Sequence, residues 1–163
     1  MVVIALDPGP EQTALVALRP DGRPFESTIG RNAYIAELLD LIAADPSLGA
    51  PVLAVEMIAS YGMPVGADVF ETCVWIGRFV ERWGGEHALV YRRDVKLHLC
   101  DSPRAKDANI RQALIDRFGP SKQAAIGTKK APGPLYGFKS HLWAALAVAV
   151  TYHDRTEAQR RAA

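Results

Sequence analysis

Two carboxylates stand where apolar runs stop. Asp7 closes "VVIAL" and is followed at once by Pro8 and Gly9; Glu56 closes "PVLAV" and precedes "MIA". Much further along, His141 follows Ser140 at the head of "SHLWAALAVAVTYH". Carboxylates at the ends of neighbouring strands are separated by the strand spacing of about 4.8 Å. That is the scale on which hard oxygen ligands hold divalent cations, including two cations about 3.5–4 Å apart. A third ligand from a helix end closes such a site, and His141 is the candidate. Two-metal phosphodiester hydrolysis is the chemistry this set suits. Each residue also has a plainer use. Asp-Pro-Gly is good turn chemistry by itself. A Glu at a strand end is structural when it has a partner, because Glu is rarely buried without one. A His at a helix start serves equally as a cap or a surface residue.

The acids need elements to hold them. "VVIAL" reads as a buried strand, and "TALVAL" and "FESTI" as two more, joined by the turns "DPGPEQ" and "RPDGRP". Short turns of this kind make three antiparallel strands. "NAYIAELLDLIAA" has helical apolar spacing with Asn32 placed to cap it. "PVLAVEM" is a fourth strand and "HALVY" a fifth. Between them, "ADVFETCVWIGRFVERWG" is a long helix with the apolar stripe Val69, Phe70, Cys73, Ile76, Val80 and Trp83. Gly77 in its middle costs about 1 kcal/mol against Ala, which points to close packing or to the approach of a partner. "RRDVKLHL" reads as a short helix or turn, and "SPRAKDANIRQALIDRFG" as a helix starting near Ser102 and Pro103. Residues 119–138, rich in Gly, Pro and Lys, read as a loop. "SHLWAALAVAVTYH" is an Ala-rich closing helix with Ser140 as its cap, and "DRTEAQRRAA" a frayed polar tail. The order is β-β-β-α-β-α-β-α-α. It predicts an α/β fold, a mixed five-stranded sheet with helices on both faces. One domain over 1–154 with a polar tail over 155–163 is the expected organisation.

Composition narrows the class. At 163 residues with 49% hydrophobic residues, the chain can bury one sizeable core. The longest apolar run, around "WAALAVAV", is too short to cross a bilayer, and Asp7 interrupts any secretion-signal pattern. Cys73 and Cys100 form no metal spacing and no disulfide framework. The expectation is a soluble protein of a reducing compartment, the cytoplasm, with no membrane partner. A net charge of +1 hides a strong asymmetry. Residues 1–90 carry 5 Lys/Arg against 12 Asp/Glu, whereas residues 91–130 carry 10 against 4. An acidic half holds the metal candidates and a basic segment follows it. Uneven charge occurs in bland proteins too; the functional reading is that the basic segment meets phosphates.

Five segments in order resemble the RuvC-type Holliday junction resolvases of the ribonuclease H-like superfamily, and the shorter phage- or prophage-type members in particular. "DPGPEQT" is similar to that family's opening Asp-Pro-Gly with a following Thr, and "LAVEMIASYG" to its strand ending in the catalytic Glu. "VFETCVWIGRFVERWG" resembles the next helix, with its small residue at Gly77. "YRRDVKLHLCDSPRAKDANIRQAL" resembles the Val-Lys stretch and basic helix, and "HLWAALAVAVTYH" the closing helix. The resemblance implies a ribonuclease H-like fold, a homodimer, and Mg²⁺- or Mn²⁺-dependent cleavage of four-way DNA junctions leaving 5′-phosphate and 3′-hydroxyl ends. In the family, four acids hold the metals, two on strand ends and two on the last helix three residues apart. Asp7 and Glu56 take the first two places; the last two fall on His141 and Ala144. Ala cannot ligate, which is the main departure. Either Asp7, Glu56, His141 and waters suffice, with imidazole tilting preference from Mg²⁺ towards Mn²⁺, or the protein is a non-catalytic binder of branched DNA. Asp107 is a spare carboxylate, but its helix is expected to serve the basic surface.

Lys96, Arg104, Lys106 and Arg111 are the candidates for phosphate contacts, with Arg92 and Arg93 assisting; each is individually a good solvated charge as well. Tyr61, after Glu56, either stacks at the junction centre, where related resolvases place an aromatic, or packs in the core. The long helix is where the family's dimer interface lies, which nominates Val69, Cys73, Ile76 and Val80. Actin-like sugar kinases and ATPases share the strand order and open with a similar phosphate turn. They need a second domain and a second phosphate motif, which this chain does not supply, so no nucleotide cofactor is expected.

Overall fold

The computed structural model describes residues 1–60 and 62–163; Tyr61 lies outside the described residues. Five strands form one sheet in the order β3-β2-β1-β4-β5. They are β1 (Val3–Pro8), β2 (Gln12–Leu18), β3 (Pro24–Arg31), β4 (Val52–Met57) and β5 (His87–Tyr91). The first three are antiparallel neighbours; β4 lies parallel to β1, and β5 parallel to β4. This is the mixed α/β sheet expected from the strand order.

Helices cover both faces. The helices α1 (Asn32–Ala43) and α2 (Ala67–Trp83) lie on one side. On the other lie α3 (Arg92–Cys100), α4 (Asp107–Phe118), α5 (Lys122–Ile126) and α6 (Leu142–Ala162). The central strands are apolar on both faces because both are covered. Side-chain alternation divides β1 cleanly. Ile4 and Leu6 join Leu53, Val55, Ile76 and Phe79 under α1 and α2, while Val3 and Ala5 join Ala54, Leu146 and Val150 under α6. The Ala-rich run of α6 lets this helix sit closely on the sheet: Ala145, Ala147 and Ala149 are fully buried.

Several local expectations are corrected. Asn32 is not a cap but the first residue of α1, with its side chain buried. It accepts from the Thr13 hydroxyl at 2.7 Å and donates to the carbonyls of Gly9 and Pro10 at 2.9 and 3.1 Å. A residue buried among three partners is worth more to the fold there than at a solvated helix end. In α2 the buried face is Thr72, Ile76, Phe79 and Trp83. Phe70, placed in the apolar stripe from the sequence, is 63% exposed. Gly77 has no atom within 4 Å of where a Cβ would be, so packing within this chain does not explain it.

The helix expected from Ser102 begins instead at Asp107. Asp101 adopts a left-handed conformation at the end of α3, and the chain turns through residues 102–106 before α4 starts. The Asn109 side chain accepts from the Lys106 N–H at 2.9 Å and fixes that start. Residues 119–138 are a packed segment rather than a plain loop. They contain α5, and Ala125 and Leu135 are fully buried. A Cβ on Gly133 would come within 2.5 Å of the Ala124 and Ala125 carbonyl oxygens, so glycine is required for this close crossing. The polar tail continues α6 to Ala162 instead of fraying.

Candidate active site

β1 and β4 deliver the two acids together. Their parallel register pairs Leu6 with Val55, so Asp7 and Glu56 are the next residues on adjacent strands. Leu6 and Val55 point into the core under α1 and α2. By alternation, Asp7 and Glu56 face the other side, the side covered by α6. The turn after Asp7 is held by the Thr13–Asn32 bond described above. Gly9 is needed in it, because a Cβ there would lie 2.8 Å from the Gln12 carbonyl oxygen.

His141 meets Asp7 from the start of α6. Its Nδ1 lies 2.8 Å from Asp7 Oδ2, and its side chain is 71% exposed against 14% for Asp7. His141 is the residue before the first helical turn. The expected cap, Ser140, makes no cap hydrogen bond there; it takes a left-handed φ of 45°. That conformation is costly for a residue with a Cβ, and it sits next to His141, whose side chain reaches Asp7.

Arg92 approaches from the far side of Glu56. It opens α3 directly after β5, whose register sets Val90 beside Glu56 and Tyr91 beside Met57. Arg92 Nη2 donates to Asp107 Oδ1 at 2.5 Å, and Nη1 stands 3.6 Å from Glu56 Oε1. Burial, then the charge of Asp7, push the Glu56 carboxyl up to about 7; the positive charge of Arg92 offsets only part of this. Two clefts meet at Arg92. A small one of about 240 Å³ is lined by Asp7, Glu56, Ile58 and Ala59. A larger one of about 470 Å³ is lined by Asp107, Arg111, His141, Trp143 and Ala144.

The sequence candidates are thus distributed unevenly. Asp7 shares the small cleft with Glu56 and is also the residue that His141 contacts. Ala144 lines the second cleft one turn beyond His141. Arg111 also borders that cleft, its guanidinium 4.6 Å from the centre of the Trp143 ring. Lys106 stands at the head of α4, Arg104 in the turn before it, and Arg93 and Lys96 on α3. Arg92, nominated for phosphate, is paired with Asp107 and stands near Glu56. Ile76, nominated for a dimer interface, is 4% exposed and packed in this chain's own core. Val69, Cys73 and Val80 are half-buried. Asp107, assigned from the sequence to the basic surface, faces the site through Arg92. No spacing signal marks it, since α4 had to be placed before its first residue could be.

Two crowded carboxylates and an imidazole, with one carboxyl driven towards protonation, are a donor set short of positive charge. A hard divalent cation fits that deficit. Among the described residues no group of three or more His, Cys, Asp or Glu side chains is already placed to hold a metal ion.

No protein-family model matches the chain, and no curated protein matches it. Solved structures do. The chain is similar to the RuvC structure from Thermus thermophilus with a TM-score of 0.67 at 19% identity, over 96% of this chain and 97% of that one. It is also similar to T. thermophilus RuvC in complex with a Holliday junction substrate, with a TM-score of 0.63 at 16% identity, over 98% and 96% of the two chains. Along nearly its whole length, then, this chain has the ribonuclease H-like fold of RuvC.

Proposed function

We propose that this chain is a structure-selective endodeoxyribonuclease of the shorter, phage- or prophage-type kind, resolving four-way DNA junctions by Mg²⁺- or Mn²⁺-dependent phosphodiester hydrolysis. One observation carries the reading: Asp7 and Glu56 leave adjacent parallel strands side by side, facing α6, in a chain with the fold of a protein solved on a Holliday junction. Asp7, Glu56 and His141 would hold the metal, as one ion or a pair. Bound there, it supplies an acidified water and charge relief for the leaving 3′ oxygen. The chain's own residues do the rest. His141 orients the Asp7 carboxylate through its Nδ1 contact. Burial of Glu56 keeps it short of positive charge and so receptive to a cation. Arg93, Lys96, Arg104, Lys106 and Arg111 serve the phosphate backbone, and Tyr61 stacks at the junction centre.

Paired incision needs two sites related by a twofold axis. The outward face of α2 suits that role, with Phe70, Val74 and the open Gly77 flanked by half-buried Val69, Cys73 and Val80. Phe70 and Val74 are costly to leave in water, and a second copy of this helix would cover them. No helix among the described residues is long and apolar enough to cross a membrane.

The test is a synthetic four-way junction incubated with the protein in Mg²⁺ and in Mn²⁺, beside an Asp7→Asn control. Symmetric nicks with 5′-phosphate ends that vanish in the control support the proposal. Ala144, on the wall of the second cleft where the family carries an acid, favours a second reading: a junction binder that does not cut. Tight binding without nicks in either metal would establish that reading instead.

A further inference from the structure

Arg92 is the only Arg or Lys within 4 Å of the acid cluster among the described residues. Its two contacts are unequal. Nη2 makes a short hydrogen bond to Asp107, while Nη1 stops 3.6 Å from Glu56. Nη1 is buried and has no hydrogen-bond partner among the described residues. A buried N–H left unpaired beside a carboxylate is an expensive arrangement. It shows a guanidinium drawn to Glu56 by charge yet held back by its other hand. The holder, Asp107, is 84% exposed at the head of α4, so its grip comes from the solvent side of the cleft. Arg92 also lines the small cleft in which Asp7 and Glu56 meet. Guanidinium keeps its charge at any pH the protein survives. Any divalent cation entering that cleft therefore meets a fixed positive charge already there.

We propose that Arg92 is the resident counter-cation of the Asp7–Glu56 pair, competing with the divalent metal, and that Asp107 is the tether that draws it aside when metal binds. The inference rests on the metal-dependent reading above. It makes Arg92 a device for balancing the cluster without metal, rather than a contact to the DNA backbone. It also gives Asp107 a role at the site that is not ligation.

The experiment is a calorimetric Mn²⁺ titration of metal-stripped protein at pH 8.5. Wild type, Arg92→Gln, Arg92→Lys, Asp107→Asn, the Arg92→Gln/Asp107→Asn double variant and Asp7→Asn are compared. Removing a unit charge a few ångströms from a divalent ion in a partly buried cleft should tighten binding about tenfold or more in Arg92→Gln. Arg92→Lys keeps the charge and should stay within about threefold of wild type. Asp107→Asn should weaken binding severalfold, because the guanidinium falls back on Glu56. That weakening should disappear in the double variant. Unchanged or weaker binding in Arg92→Gln, with Asp7→Asn abolishing it, overturns the competition and leaves the metal reading intact. A loss from Asp107→Asn that persists without Arg92 makes Asp107 a ligand and overturns the tether. No Mn²⁺ binding by the wild type removes the metal reading, and this inference with it. Should Arg92→Gln fail to fold, Asp107→Asn and Arg92→Lys still decide: wild-type affinity in Asp107→Asn refutes the tether.

Discussion

Glu56→Gln should make the metal-free protein more stable while abolishing the metal binding proposed above. The Glu56 side chain is 14% exposed and its carboxyl titrates near 7 instead of 4.5, through burial and the neighbouring Asp7 charge. The folded state therefore holds this proton more tightly than the unfolded chain does. Stability falls as pH rises from about 4.5 through about 7, and the full cost is present above that window. At about 1.4 kcal/mol for each tenfold change in proton affinity, the ceiling is about 3 kcal/mol. Glutamine has nearly the same shape and no charge, so it escapes that cost; it also forgoes the attraction of Arg92. The net expectation is about 2 kcal/mol of stabilisation at pH 8.5 and almost none at pH 4.5. For a domain of this size that corresponds to a rise in Tm of about 4–8 °C. Thermal melts in EDTA across that pH range measure it directly. Added Mn²⁺ should then stabilise the wild type and leave the variant where it was. A variant less stable than wild type at pH 8.5, or a difference independent of pH, would refute the account of Glu56 as a carboxyl strained by its neighbours.

Three further outcomes can be checked. Asn32→Ala strands the Thr13 hydroxyl and frees two turn carbonyls, and should cost about 2 kcal/mol in urea unfolding; an unchanged midpoint would mean the turn after Asp7 is held by other means. Mn²⁺ should support faster junction cleavage than Mg²⁺, and His141→Ala should bring the two rates together. Equal rates in the wild type would count against direct ligation by His141. Asp154 joins α3, α4 and α6, pairing with His98 at 2.9 Å and Arg117 at 2.7 Å. Burial raises its carboxyl, but hydrogen bonds from His98 and Arg117 outweigh this and hold it below the usual 3.8. Its contribution is present above that value and lost as pH falls through the depressed one. Asp154→Asn should therefore destabilise by about 2 kcal/mol at pH 7, a deficit that closes in strong acid; a deficit constant with pH would place the effect in packing.

Much of the site was legible because it is written locally. An apolar run that stops on an acid marks a strand end within a few residues, as at Asp7 and Glu56, and after Asp7 the Pro-Gly pair adds the turn. The three antiparallel strands and the Ala-rich closing helix were legible for the same reason. Helix faces were less so. Phe70 and Ile76 are equally apolar in α2, and only the sheet beneath decides that Ile76 is buried and Phe70 is not. Helix starts failed where long-range partners overrule local signals. Asn32 is drawn inward by Thr13, and α4 waits for Asp107 despite Ser102 and Pro103.

By itself, then, the sequence determined the strand-end acids, the α/β layering and the helical candidate for a third ligand, since each depends on periodicity and turn chemistry over short spans. Tertiary structure alone decided which side chains meet. The parallel register of β1 and β4 sets Asp7 and Glu56 abreast on the α6 face, and the junction of β5 with α3 turns Arg92 inward between Glu56 and Asp107. Such meetings join residues up to 134 positions apart, as with Asp7 and His141, and no local pattern encodes them. They follow from strand register and from where each helix begins, which only the packed core settles.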